Sequence, residues 1–234
     1  MFDEKYTEIV EPKYGIKRDI THDEILTNNI SKRHKYSIDE HDRVDMTMYD
    51  TYSIDPDGCN DADDAFSIYT KNDKLYFAIH IADPTEYIEL NSTLWDDIVN
   101  RTTTKYPSNR KPIHMMPNKV LELSSLQGDD RGNTKKAITI LTEVDRTTFE
   151  PINKIKILFT NVFVTKENAY TYKQASQVCD EIEAFNIGLK ISESCKQRRS
   201  LKTTGIKLNE ISTAYPVYDK SGAHLYEDTF GERM

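Results

Sequence analysis

The 234-residue chain reads as an α+β fold in which a mixed sheet is accompanied by helices. Three observations carry this reading. Two pairs of β-rich runs, 65–69 with 75–82 and 138–144 with 155–164, alternate well enough to be half-buried strands. A helix or loop with one apolar side lies between the pairs, over 91–104, and a helix is expected after them, where Val178, Ile182, Phe185 and Leu189 recur at helical intervals. No internal repeat or low-complexity tract interrupts the chain, so one mixed domain is expected.

Composition is compatible with that fold. The chain is long enough to bury a core in one large domain or two small ones. A hydrophobic fraction of 37% and a mean hydropathy of −0.68 are low for a compact enzyme, but 10% aromatic residues argue against disorder. No apolar run is long enough to span a bilayer, and Met1-Phe2-Asp3-Glu4-Lys5 lacks the basic-then-apolar layout of a signal peptide. The expected location is intracellular, cytoplasmic rather than nuclear. Cys59, Cys179 and Cys195 are odd in number and widely spaced, which fits neither a disulfide framework nor a zinc quartet.

Residues 1–43 are polar with little periodicity, apart from a short capped-helix pattern at 19–26, and read as an extension ahead of a domain spanning 44–234. The first β pair turns at Lys71-Asn72-Asp73-Lys74. Over 91–104 the apolar side is Leu94, Trp95, Ile98 and Val99, with Trp95 expected in the core. A polar turn at 145–153 separates the second β pair. Thr171 and Gln174 have the spacing of a capping box, which would open one long amphipathic helix.

The chemistry concentrates between Tyr52 and Ile68. Asp55, Asp61, Asp63 and Asp64 share this window, with a Pro-Asp-Gly turn signal at 56–58. Four ionised carboxylates so close repel one another, and a hard divalent cation with oxygen ligands would neutralise them. A solvated acidic loop is the alternative. A helix-loop-helix calcium site is excluded, because counted from Asp55 its glycine position falls on Asn60 and its closing glutamate on Phe66. Cys59 lies inside the motif, yet hard-ion chemistry prefers oxygen to thiolate.

The net charge of −8 hides two basic stretches. From Arg101 to Lys136 eight basic residues face three acidic ones, and from Lys190 to Lys207 six face one, a balance of +5 in each. Such stretches can line a phosphate path, since phosphate neutralisation supplies most sequence-independent affinity. Two solvated faces would have the same composition.

The flanks of the acidic window add specificity. Ile54-Asp55 followed by Asp61-Ala62-Asp63-Asp64-Ala65 resembles the signature of the ribonuclease II family, the RNB-type 3′-to-5′ exoribonucleases. Ile81-Ala82-Asp83-Pro84-Thr85, Tyr106-Pro107, Met115-Met116-Pro117 and Ser124-Ser125-Leu126 with Arg131 follow in that family's order and at about its spacing. The resemblance implies an RNB-type catalytic domain in which Asp55, Asp61, Asp63 and Asp64 are catalytic metal ligands, with Mg2+ expected and Mn2+ able to substitute. It implies that Tyr106 stacks on a terminal base of single-stranded RNA, among Arg101, Lys105, Arg110 and Lys111. Arg131, Arg198 and Arg199 are further expected RNA contacts.

Two departures accompany the resemblance. His114 stands where the family more often has proline. The family continues into a Glu-Glu-x-Met helix and a Ser-Pro-Ile-Arg-Arg segment whose arginine grips the scissile phosphate, whereas this sequence stops at Met234. The expectation is therefore the first part of an RNB-type domain, completed by a further segment or a partner chain. The expected activity is metal-dependent 3′-to-5′ hydrolysis of single-stranded RNA to nucleoside 5′-monophosphates, and the alternative is a catalytically deficient RNA-binding or complex-forming remnant.

Overall fold

The computed structural model describes residues 40–59, 61–105, 112–128, 133–202, 213–219 and 222–228. The capped-helix pattern at 19–26 lies outside them. The described residues fall into two compact units. One holds those up to Arg43 together with Ala82–Ser125, and the other holds Val44–Ile81 and those from Leu126 onward.

The larger unit is built on a five-stranded sheet in the order β1-β6-β5-β4-β3. Its strands are β1 (Val44–Asp45), β3 (Asp64–Lys71), β4 (Lys74–Ala82), β5 (Lys135–Val144) and β6 (Lys156–Val162). The two β pairs expected from alternation are the antiparallel pairs β3–β4 and β5–β6, while β1 joins β6 in parallel. Asn72 and Asp73 both adopt positive φ in the β3–β4 turn, the backbone that a two-residue hairpin requires and that these residue types tolerate. A separate parallel pair joins β2 (Ser53–Asp55) to β7 (Ala169–Thr171), and β8 (Thr213–Asp219) with β9 (Gly222–Asp228) forms an antiparallel hairpin.

The capping box forms as read: Thr171 and Gln174 satisfy each other's backbone N–H groups and open a helix, Tyr172–Val178. The long helix does not. The chain turns after Val178, whose carbonyl accepts from both Glu181 and Ile182, and a second helix spans Glu183–Lys202. Asp180, Glu181 and Glu183 gather at this restart, where the exposed N–H groups of a helix favour negative charge. The break lets Phe185 be fully buried between the rings of Tyr52, Phe66 and Tyr170, at centroid distances of 5.2–5.7 Å. Six residues further along the same helix, Ile191 packs with Leu75 and Val144 of the sheet.

A chain of hydroxyls crosses this sheet through one histidine. Thr51 bonds Ser67 of β3, Ser67 bonds His80 Nε2 of β4, His80 Nδ1 bonds Thr139 of β5, and Thr139 bonds Thr160 of β6, all at 2.6–2.9 Å. Burial pushes the His80 pKa down to about 4, so the imidazole stays neutral and exchanges hydrogen bonds with its hydroxyl neighbours.

In the smaller unit, helices α1 (Thr93–Arg101) and α2 (Asn118–Ser124) enclose Ile88, Leu94, Ile98 and Val120. Ser92 caps α1 through the Trp95 N–H, and Trp95 packs against this core as expected. Val99 departs from the expectation: it is 54% exposed, because the buried stripe follows Leu94 and Ile98 and leaves position 99 on the far side of the helix. At the start of this unit the Arg43 guanidinium is buried against Asp83 at 2.8 Å and Glu86 at 3.1 Å, while Thr85 Oγ1 donates to the other Asp83 oxygen. Helices Tyr172–Val178 and Glu183–Lys202 are hereafter α3 and α4. No helix among the described residues is long and apolar enough to cross a membrane.

Candidate active site

The acidic window is a loop whose two ends are tied to sheet. Tyr52 and Phe66 exchange backbone hydrogen bonds at 2.8 Å in both directions, closing its base. On one side β2 carries the chain to Asp55, which stands opposite Thr171 in the parallel pair with β7. On the other side Asp64 is the first residue of β3 and stands opposite Ile81 of β4. Between them the Cys59 N–H reaches back to the Pro56 carbonyl, and Gly58 at φ +78° supplies the left-handed position of this turn. Asp55 and Asp64 are thus held by strand pairing, and Asp61 and Asp63 lie on the connection.

The carboxylates perturb one another. Burial, and then the Asp64 charge, push the Asp55 carboxyl up to about 6, with a hydrogen bond from Cys59 opposing part of the rise. Burial also raises Asp63, followed by the charges of Asp61 and Asp64. Cys59 places its Sγ 3.7 Å from Oδ1 of both Asp55 and Asp61, and burial first of all pushes its thiol up to about 11. It is therefore a neutral thiol donating weakly to two acids, a neighbour that the sequence placed in the motif without a task.

Hard oxygen donors that repel one another are the donor set a divalent cation neutralises, and the chemistry of Asp55, Asp61, Asp63 and Asp64 fits Mg2+ or Mn2+. Among the described residues no three His, Cys, Asp or Glu side chains converge as a preformed ligand group, so the carboxylates would have to turn inward to share an ion. A bound divalent ion supplies charge neutralisation at a phosphoryl oxygen and lowers the pKa of a coordinated water. The chain supplies the two strand-anchored acids that fix where such an ion would sit.

The expected RNA contacts separate. Arg101 ends α1, where its Nε donates to Asp97 Oδ2 at 3.1 Å and its side chain is only 9% exposed. Lys105 forms a two-way backbone bridge with Ile113. Both belong to the smaller unit, whereas the acids, Arg198 and Arg199 belong to the larger. Arg198 and Arg199 lie in the last two turns of α4, half-buried and exposed respectively, where cations also suit the helix C-terminus. Tyr106, Arg110, Lys111 and Arg131 lie outside the described residues. Reading the sequence alone missed the Arg43 partnership of Asp83; the sign available was an acid directly before a Pro-initiated helical turn.

Fold and loop together define an α+β domain that carries a crowded acidic loop beside its edge strand β3. Residues 43–217 match the family model described as RNB domain, and the chain belongs to that family of 3′-to-5′ exoribonucleases. The exosome complex exonuclease dis3 of Schizosaccharomyces pombe is 30% identical over 160 residues, covering 63% of this chain and 15% of that protein. The structure of Mycoplasma genitalium RNase R in complex with double-stranded RNA superposes with a TM-score of 0.75 at 17% identity, covering 97% of this chain and 41% of that one. Yeast Ssd1, described as a pseudonuclease, superposes with a TM-score of 0.61 at 18% identity over 73% of this chain and 21% of its own. The chain thus spans less than half of these proteins, and the two structural likenesses speak to the fold.

Proposed function

We propose that this chain is the acid-bearing part of a divalent-metal-dependent exoribonuclease that hydrolyses single-stranded RNA from its 3′ end to nucleoside 5′-monophosphates. The observation that carries the proposal is the acidic loop within the RNB match, which gathers Asp55, Asp61, Asp63 and Asp64 and where burial and the Asp64 charge push the Asp55 carboxyl up to about 6. In this reading Asp55, Asp61, Asp63 and Asp64 bind Mg2+, with Mn2+ as a substitute. Tyr106 stacks on the terminal base, and Arg101, Lys105, Arg110, Lys111, Arg131, Arg198 and Arg199 serve the RNA backbone. Of these, Arg101 would have to exchange its Asp97 partner for phosphate. Full turnover needs the remainder of the domain, since the matched relatives extend far beyond the shared stretch.

A second reading has its own support: the fold is shared with the pseudonuclease Ssd1, and the four acids are not preassembled. In that reading the chain is a catalytically deficient RNA-binding or complex-forming domain. The two separate in a single-turnover assay of a 5′-labelled single-stranded oligomer in Mg2+, with and without a 3′-phosphate block, and with chelator as control. Mononucleotide release that needs Mg2+ and a free 3′ end supports the nuclease. RNA retention without any cleavage, even when the remaining portion of the domain is added in trans, supports the binding domain.

A further inference from the structure

Three residues outside the acidic window hold its centre. The Leu126 N–H donates to the Ala62 carbonyl at 2.9 Å, and Gln127 Nε2 donates to the Cys59 carbonyl at 2.6 Å. These two carbonyls bracket Asp61, and Ala62 leads directly to Asp63. Leu126 and Ala62 are themselves buried, at 0% and 1% exposure, which makes the first of these bonds a fixed point for the loop.

Gly128 ties the same segment to the other half of the site. A Cβ placed there would lie 2.6 Å from the Thr165 carbonyl oxygen and 2.8 Å from both Lys166 Cα and Ala169 Cβ, so only glycine permits the approach. Ala169 opens β7 and stands opposite Ser53, two residues before Asp55. Leu126-Gln127-Gly128 therefore contacts the connection bearing Asp61 and Asp63 by hydrogen bonds, and the strand that registers Asp55 by backbone packing. Repelling carboxylates favour an opened loop, and a neutral amide donor resists that opening without adding charge. Groups that orient metal ligands from behind commonly govern affinity in this way.

We propose that Gln127 is a positioning residue that sets the distance between the Asp61–Asp63 connection and strand-held Asp55, so that the carboxylates receive one divalent cation. It touches neither the ion nor RNA, and it rests on the reading of this loop as a cation site. The test uses the whole 234-residue chain, Mn2+ as the probe and electron paramagnetic resonance for binding, beside amide hydrogen exchange and thermal melting. Gln127→Met keeps the length and removes the donor. It should weaken Mn2+ about tenfold, speed exchange of the Cys59 and Leu126 amides, and leave the melting temperature of the metal-free chain unchanged, since Gln127 is exposed. Gly128→Ala should also weaken Mn2+ and lower the melting temperature. Wild-type binding that Asp63→Asn abolishes but Gln127→Met leaves intact overturns the proposal alone. Wild type that binds no Mn2+ overturns the cation-site reading and the proposal with it.

Discussion

Two acidic clusters in this chain solve the problem of buried or crowded carboxylate in opposite ways. Asp83 and Glu86 are almost inaccessible, at 1% and 8% exposure, and the Arg43 guanidinium lies 2.8–3.1 Å from both. Asp55, Asp61, Asp63 and Asp64 instead crowd one another beside a thiol: Cys59 Sγ lies 3.7 Å from Oδ1 of both Asp55 and Asp61, and like charge helps to raise the carboxyls of Asp55 and Asp63. The first cluster is neutralised by the fold, so its task is architectural: it ties the residue that begins the domain to the turn after β4. The second gathers like charge in one loop, which in the proposed function is the place of a divalent cation. Both motifs belong to the same family-like pattern in sequence, and only the company each acid keeps separates a structural aspartate from a chemical one.

Substitution at one acid of each kind should break the parallel most sharply. Asp63→Asn should lower single-turnover hydrolysis by the assembled domain about 10²-fold or more. The metal-free melting temperature should hold or rise, because burial and like charge already disfavour ionised Asp63. Unchanged turnover would return the loop to a solvated acidic surface. Asp83→Ala should do the reverse, costing about 1.5–3 kcal/mol in urea unfolding by removing one of the two carboxylates that pair the buried guanidinium, with Mn2+ affinity of the folded fraction unchanged.

Acid should expose a third way of burying polar groups, the neutral chain through His80. Its folded pKa of about 4 lies below the unfolded value of 6.5, so the unfolded state binds the extra proton. The stability this side chain contributes is complete above pH 6.5, falls as pH drops through that value, and levels off below 4. Compared with His80→Gln, wild type should lose up to about 3 kcal/mol of its advantage over that window, read from urea unfolding at pH 7.5, 5.5 and 4. A constant difference would mean that the imidazole takes up its proton as readily in the fold as in the unfolded chain. The smallest effect is expected at Tyr106, where truncation to alanine should lose about 1–3 kcal/mol per base stack and lengthen the smallest limit product on a gel.

Local rules were enough for much of this molecule. The hairpin turn at Asn72-Asp73, the strands β5 and β6, the Thr171–Gln174 capping box and the α1 helix depend on neighbours in sequence, and each was legible there. So was the acidic loop, because like charges in one short window repel in any fold. The tertiary structure decided the rest. It cut the expected long helix in two so that Phe185 could enter a ring cluster, and it turned Val99 outward. It paired β2 with β7 across more than a hundred residues, gave Asp83 its arginine, threaded His80 between hydroxyls from two other strands, and brought Gln127 to the Cys59 carbonyl. How a carboxylate's charge is met depends on groups distant in sequence and adjacent only after folding, as Arg43 is for Asp83; the residues themselves carry charge, but the neighbours that cancel or oppose it are chosen by packing.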